Sequence, residues 1–351
     1  MTHPAHLLSV ATAAPPHILV QTDVEAAAQQ IFGARYASFS RMAKVFGTTG
    51  IRKRHSVRPI EWFTQARGWP ERTAAYLEGA LGLFIDSSRA ALDKARLKAD
   101  QVDIVVTVSS TGIATPSLEA QAMGAMGFRP DIQRVPVFGL GCGGGTAGFA
   151  IAAKLAEANP GAVVLLVVVE LCTLSFRLDE LTKANMVATA LFGDGGAACV
   201  LRAGPGEGLA QVQGSGQHTW ADTLDIMGWR VDPEGFGVIF AQAIPPFAEA
   251  NMGPAVDGML GRLNLARGDI DRYICHPGGT KVLTALELAL NIEQGSLDDE
   301  REVLADYGNM SAPTVLFVLE RQLAKGLPKQ SALLALGPGF SASCAVLKAA
   351  A

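Results

Sequence analysis

The chain has 351 residues, 49% of them hydrophobic and 18% charged, enough apolar material for one large core or two fused ones. The formal net charge of −4, with Lys and Arg scattered apart from Arg52-Lys53-Arg54, argues against a nucleic-acid partner. The apolar run Ala162 to Val169 is too short to span a bilayer, and Leu7-Leu8-Ser9-Val10 is too short for a signal core, so a cytoplasmic protein without membrane insertion is expected.

Taken in chain order, strands alternate with helices. Leu7 to Ala11 reads as a strand and Ala74 to Arg96 as a helix, followed by strands Ile104 to Ser109 and Val135 to Leu140. A helix over Thr146 to Ala158 stops at Asn159-Pro160-Gly161, and Val163 to Val169 is a buried strand. The second half repeats the alternation from about residue 209, with a strand at Ile274, helices at Lys281 to Leu290 and Pro313 to Leu323, and strands Ala332 to Leu336 and Ala345 to Lys348. The fold class is therefore α/β, with domains 1–208 and 209–351 and a Gly-rich seam over 204–216.

The halves read as a duplication. Asp103 through Val108 match Asp271 through His276 at an offset of 168, Val164-Leu165-Leu166 match Ala332-Leu333-Leu334 at 168, and Cys142 matches Asn309 at 167. Cys142 lies in Gly139-Leu140-Gly141-Cys142-Gly143-Gly144-Gly145, where a strand ends and a helix begins. Unpaired backbone N–H groups there favour a thiolate. His276, followed by Pro277-Gly278-Gly279, is the candidate base for a thiolate–imidazolium pair, and Asn309 is the candidate amide donor. Cys199, Cys275 and Cys344 read as inert core thiols; none of the five cysteines forms a Cys-x-x-Cys pair, so all should stay reduced. His3, His6, His17, His55 and His218 lack ligand spacing, and no metal site is expected. A competing motif, Gly139-x-Gly141-x-x-Gly144 with Glu170 beyond the next strand, matches a dinucleotide fingerprint but gives Cys142, His276 and Asn309 no role.

Five blocks carry a family resemblance: Gly139 to Cys142, Glu170 to Arg177, Ala190 to Gly195, His276 to Gly279 and Tyr307 to Ser311. In order and approximate spacing the chain resembles the type III polyketide synthases, the chalcone synthase-like enzymes, from about residue 7 to 348. The resemblance implies the thiolase fold, a duplicated five-layer α-β-α-β-α core with pseudo-twofold halves, and a homodimer. It implies Cys142 as the nucleophile that carries the acyl chain, His276 and Asn309 as the pair promoting malonyl-CoA decarboxylation, and Phe192 as a gate. Trp229 falls on the second gate position, usually Phe. Cavity candidates by resemblance are Thr111, Thr115, Cys172, Ser175, Ser311, Gly337 and Pro338, the last two in an altered Ala335-Leu336-Gly337-Pro338-Gly339 loop. Arg41 and Lys44 align with a basic CoA-binding helix, and Gly278 and Gly279 with the pantetheine path. The implied substrates are an acyl-CoA starter and malonyl-CoA, with no cofactor; an acyl-carrier protein is an alternative starter donor. Glu61-Trp62, Arg67 to Arg72 and Ala114 to Leu118 are similar to the bacterial branch making alkylpyrones and alkylresorcinols from fatty acyl starters. The alternatives are a β-ketoacyl synthase III-like enzyme that condenses once, and the NAD reading of the glycine motif.

Overall fold

The computed structural model describes residues 3–33, 39–180, 182–204 and 208–350. The first half runs β1 (Ala5–Ala13), β2 (His17–Val20), α1 (Gln21–Phe32), α2 (Phe39–Met42), α3 (Lys44–Thr48), β3 (Lys53–Ser56), α4 (Trp69–Ala95), β4 (Ile104–Val108), α5 (Leu118–Met126), β5 (Gln133–Val137), α6 (Gly144–Ala158), β6 (Val163–Leu171), α7 (Lys183–Leu191) and β7 (Asp194–Ala203). The second runs β8 (Ala210–Thr219), β9 (Met227–Asp232), β10 (Gly235–Phe240), α8 (Ile244–Gly261), β11 (Arg272–Cys275), α9 (Thr280–Leu290), α10 (Asp298–Tyr307), α11 (Thr314–Lys325), β12 (Gln330–Gly337) and β13 (Ser341–Ala349).

Strand β6 shows why its sequence is an unbroken apolar run: it is buried on both faces. Leu165, Val167 and Val169 face one way, onto the outer helix α4 with Tyr76, Leu83 and Phe84. Val164, Leu166 and Val168 face the other way, onto α6 and α11 through Phe149, Leu316 and Leu319. The period of two places adjacent residues in different cores. In the second half, β12 and β13 present Leu334, Ala342 and Val346 to α8 and α9, while Leu333, Ala345 and Leu347 join the central core. The result is five layers: α4 and α5, a sheet, α6 and α11, a second sheet, and α8 with α9. This is the expected thiolase arrangement.

Within each half the strands pair in one pattern. β4 and β6 are parallel, β6 and β7 antiparallel, and β7 and β1 antiparallel. Likewise β11 and β12 are parallel, while β12–β13 and β13–β8 are antiparallel. The two sets meet edge to edge through His6–Gln211 and Leu7–Ala210, giving the nine-stranded order β11-β12-β13-β8-β1-β7-β6-β4-β5.

Hydrogen bonds fix the internal register. The Asp103 N–H donates to Val163 O at 2.9 Å, and Asp103 Oδ2 accepts from the Val163 N–H at 2.8 Å. Asp271 repeats both bonds with Gln330, each at 2.8 Å. Val164 therefore corresponds to Ser331, not Ala332: the β6/β12 offset is 167, the offset of Cys142 to Asn309, while β4/β11 keeps 168.

Three boundaries differ from the sequence reading. Strand β5 ends at Val137, because Gly139 (φ 90°) and Gly141 (φ 47°) are in the left-handed region and turn the chain before Cys142. Helix α4 begins at Trp69, capped where Glu71 Oε2 accepts from the Gly68 N–H at 3.1 Å. Most of the expected seam is strand β8, and residues 205–207 lie outside the described residues. Its glycines serve packing: a Cβ on Gly216 would lie 2.8 Å from Cβ of Met259 on α8.

Candidate active site

Cys142 sits in a tight 3-10 turn, Gly141–Gly143, at the entrance to α6. The flanking glycines let the two halves interlock around it. A side chain at Gly145 would meet the Ala312 carbonyl oxygen at 2.2 Å, and a Cβ on Gly337 would meet the Gly143 nitrogen at 2.8 Å. Asn309 follows α10 after Gly308, whose φ of 71° turns the chain back. Its backbone bridges to the end of α7, donating to Leu191 O at 2.8 Å and accepting from the Gly193 N–H at 3.0 Å. Its side chain is held at both ends: Oδ1 accepts from the Ser311 N–H at 2.7 Å, and Nδ2 donates to Gly278 O at 3.1 Å. The other Nδ2 hydrogen serves the Cys142 sulfur, beside the position a ligand would take. His276 continues β11, its N–H donating to Leu334 O at 2.8 Å.

Cys142, His276, Asn309 and Gly278 share a cavity of about 410 Å³ with Met227 and Phe240. A second, of about 400 Å³, joins Cys142 to Ser311, Pro338, Cys172, Phe192 and Trp229. Phe192 and Trp229 meet edge to face at 6.2 Å, and Trp229 Nε1 donates to Ser110 O at 2.9 Å. A third, apolar cavity of about 580 Å³ lies beyond Cys172, Ser175 and Phe192.

Comparison with known proteins gives a consistent match. The family models "Chalcone and stilbene synthases", N-terminal and C-terminal domains, match residues 2–205 and 211–351. The chain belongs to the chalcone and stilbene synthase family, the type III polyketide synthases. Over 347 residues it is 38% identical to a 1,3,6,8-tetrahydroxynaphthalene synthase of Streptomyces peucetius subsp. caesius, covering 97% of this chain and 92% of that one. Over 356 residues it is 33% identical to a putative chalcone synthase of Bacillus subtilis (strain 168), covering 96% of each. The crystal structure of the Streptomyces coelicolor A3(2) tetrahydroxynaphthalene synthase, described as a bacterial type III polyketide synthase, superimposes with a TM-score of 0.93 at 28% identity, covering 99% of each chain. As a member of this family, the chain is an acyl-transferring condensing enzyme.

The dinucleotide reading of the same glycines fails on geometry as well. The opposing half closes over Gly141, Gly143 and Gly145 through Pro338, Gly337 and Ala312. Glu170 is fully buried, and both its oxygens accept from the Ser110 N–H, at 3.0 and 2.9 Å, with Thr111 Oγ1 adding a bond at 2.7 Å. It is a structural brace beneath the cysteine turn.

A standing thiolate–imidazolium pair is not supported. Cys142 is 7% exposed and His276 4%. Burial pushes the Cys142 thiol up to about 11, with Ser311 and Asn309 hydrogen bonds pulling it down and the nearby Glu170 raising it. Burial also holds the His276 imidazole down to about 3. Neither ring nitrogen has a partner among the described residues. Both shifts favour the neutral forms of the two side chains. Desolvation outweighs the helix N-terminus that the sequence reading relied on, an effect worth only about 0.3–2 kcal/mol.

The other expected site residues divide. Cys172, Ser311, Pro338, Phe192 and Trp229 line cavities that reach Cys142 or adjoin it, and Ser175 lines the apolar cavity beyond. Thr111 lines none of the three, because its hydroxyl is engaged by Glu170 and the Leu171 N–H. Thr115 is exposed in this chain, before Pro116. Gly337 packs beneath the cysteine turn and lines none of these three cavities. Arg41 and Lys44 are exposed and border none of these three cavities. The nearby Thr49 O accepts from Thr280 Oγ1 at 2.6 Å, which brings the end of α3 beside Gly279 at the start of α9.

Sequence reasoning missed the β9–β10 hairpin, which supplies Met227, Val238, Ile239 and Phe240 to the walls. Its signal was present: Asp232-Pro233-Glu234-Gly235 is a turn between two apolar-rich segments. It also missed Arg54, 2% exposed, whose Nη1 donates to Thr189 O at 2.6 Å and Phe192 O at 2.8 Å. Nothing in Arg52-Lys53-Arg54 distinguished the buried arginine from its neighbours.

Proposed function

We propose that Cys142 accepts a fatty acyl starter from acyl-CoA and that the enzyme extends it iteratively with malonyl-CoA, closing the chain to a pyrone or resorcinol. The observation that carries the starter assignment is the apolar cavity of about 580 Å³ sharing Cys172 and Phe192 with the space around Cys142. Burying a methylene stabilises by about 0.8 kcal/mol, so an alkyl chain is the matching occupant.

The chemistry follows from three side chains. The Cys142 proton passes to His276 as sulfur attacks the starter thioester; the C–S bond to CoA breaks, and the leaving thiolate takes the proton back. Malonyl-CoA then binds with its thioester oxygen facing His276 and the Nδ2 hydrogen of Asn309 that otherwise serves the Cys142 sulfur. Breaking the bond to the carboxylate releases carbon dioxide and leaves an enolate whose oxygen these donors hold. The enolate carbon attacks the Cys142 thioester, forming a C–C bond and expelling the Cys142 thiolate. Thioester exchange returns the lengthened chain to sulfur for the next round. Neutral His276 suits this cycle, since one ring nitrogen donates while the other accepts. No step needs a metal or redox cofactor. Phe192 and Trp229 gate the passage between the cavities. Arg41 and Lys44 meet the CoA phosphates, and Gly278 and Gly279 border the pantetheine arm. Ser311 acts near the growing chain, while Thr111 supports the cysteine turn through Glu170.

The enzyme is proposed as a homodimer joined beside edge strand β5, where Ile113 and Phe138 are 57% and 59% exposed and Thr115 projects outward. CoA thioesters as substrates imply a cytoplasmic setting; among the described residues no helix is long and apolar enough to cross a membrane. An acyl-carrier protein is the alternative donor of the starter.

A second reading is favoured by the names of several relatives, which are tetrahydroxynaphthalene synthases. In it the product is a fused aromatic without an alkyl tail. Incubation with ¹³C-malonyl-CoA and a series of acyl-CoAs, followed by mass spectrometry, separates the two. Products retaining the unlabelled starter chain plus two or more labelled units support the proposal. Fully labelled products whatever the acyl-CoA support the second reading, and one labelled unit per product would mean a single condensation.

A further inference from the structure

The cavity beyond Cys172 is walled by Leu19, Val24, Ala28, Ile31, Phe63 and Phe176, yet one cation borders it. Arg54 is fully buried and its Nη1 is occupied by the Thr189 and Phe192 carbonyls. Its Nε and Nη2 are buried too, with no hydrogen-bond partner among the described residues. Burial lowers the guanidinium to about 10, so it stays charged at neutral pH. Asp194 provides a nearby counter-charge. Its oxygens are already taken, Oδ2 by the Val57 N–H and Thr173 Oγ1 and Oδ1 by the Thr173 N–H. Arg54 therefore lacks acceptors and does not lack a counter-ion. Buried donors left unpaired are rare in folded proteins, and a purely alkyl occupant would leave these two unpaired.

We infer that this cavity receives the far end of an acyl starter bearing a neutral oxygen acceptor, a hydroxyl or ketone, which Arg54 binds through Nε and Nη2. The inference rests on the reading that the starter passes Cys172. A carboxylate is the poorer match, because Asp194 already balances the guanidinium and would repel a second anion. Arg54 also joins the ligand to the catalytic frame. The segment whose carbonyls it holds ends at Phe192, and the next residue, Gly193, bonds the Asn309 backbone.

The test compares kcat/KM for three acyl-CoA series from six to sixteen carbons, in plain alkyl, terminally hydroxylated or oxo, and terminally carboxylated forms. In the wild-type enzyme the neutral oxygenated starter should exceed its alkyl counterpart about tenfold at the length that reaches Arg54, a preference equal to about 1.4 kcal/mol. The carboxylated series should show no such gain. Arg54→Met should erase the preference, read as the ratio of oxygenated to alkyl kcat/KM within one preparation. Because loss of the Thr189 and Phe192 bonds threatens folding in that variant, the wild-type comparison decides alone. Equal kcat/KM for the alkyl and oxygenated series at every length overturns the inference, as does a carboxylated series that matches or exceeds the neutral one. Ala28→Phe, which fills the cavity, tells the two readings apart. If it penalises long chains of every series although no oxygen preference exists, only the Arg54 assignment fails. If it changes no chain, the starter does not enter and the fatty acyl reading fails with it.

Discussion

Titrating Cys142 reactivity with pH probes the neutral resting pair. Burial places the thiol near 11, against about 8.5 for a free cysteine. Without a charged imidazole to hold a thiolate, about 0.1% is ionised at pH 8, roughly a hundredfold less than for a thiol titrating near 9. The iodoacetamide rate at Cys142, followed by peptide mass spectrometry, should therefore rise about tenfold per pH unit from 7 to 10, without a plateau. The slope is the informative quantity, since access through the cavity lowers the rate at every pH alike. The same shift has a sign for stability. The folded state holds a proton that the unfolded chain releases above about 8.5, so Cys142 contributes stability at lower pH that is lost as pH rises towards 11, up to about 3 kcal/mol. A flat rate between pH 6 and 9 with an acidic limb would refute the argument, because it is the signature of a standing thiolate–imidazolium pair.

Three further outcomes follow from the geometry. Asn309→Ala and His276→Ala should each slow malonyl-CoA decarboxylation about a hundredfold or more, the scale of one lost oxyanion donor, while circular dichroism stays native; near-normal carbon dioxide release would reduce either residue to a packing role. Cys142→Ala should abolish product but leave slow decarboxylation, since the two donors remain; continued product formation would move the nucleophile elsewhere. Cys172→Phe should penalise long acyl-CoAs more than short ones, and displacing three methylenes from the cavity would cost about 2.4 kcal/mol, roughly sixtyfold in kcat/KM; an equal loss at all lengths would place the chain outside that wall.

The fold was legible where burial and chain direction leave marks in residue type. Val163 to Leu171 announced a strand buried on both faces, and the repeated Asp103 and Asp271 marked equivalent strand starts. The Cys142–Asn309 equivalence was legible because both residues follow a glycine turn into a helix. Strand β8 was hidden because its glycines, chosen for close approach of Met259 and Leu263, read as linker. The one-residue slip between the β4/β11 and β6/β12 offsets lay between similar apolar residues, so only the ladders reveal it. Burial at the site was not legible for a different reason: sequence shows the helix N-terminus but not how completely Cys142 and His276 are removed from water. Thr111 was expected in the cavity, yet the buried Glu170 beside it takes its hydroxyl, a partner 59 residues away.

Above all, the mechanism requires Cys142 to carry the acyl chain. Incubating the enzyme with a long-chain acyl-CoA in the absence of malonyl-CoA, then digesting it and measuring peptide masses, tests this directly. One acyl group, of the supplied length, should appear on the peptide containing Cys142, and none in Cys142→Ala. Acylation of Cys172 or another cysteine, or no covalent adduct under conditions where added malonyl-CoA yields product, would contradict it.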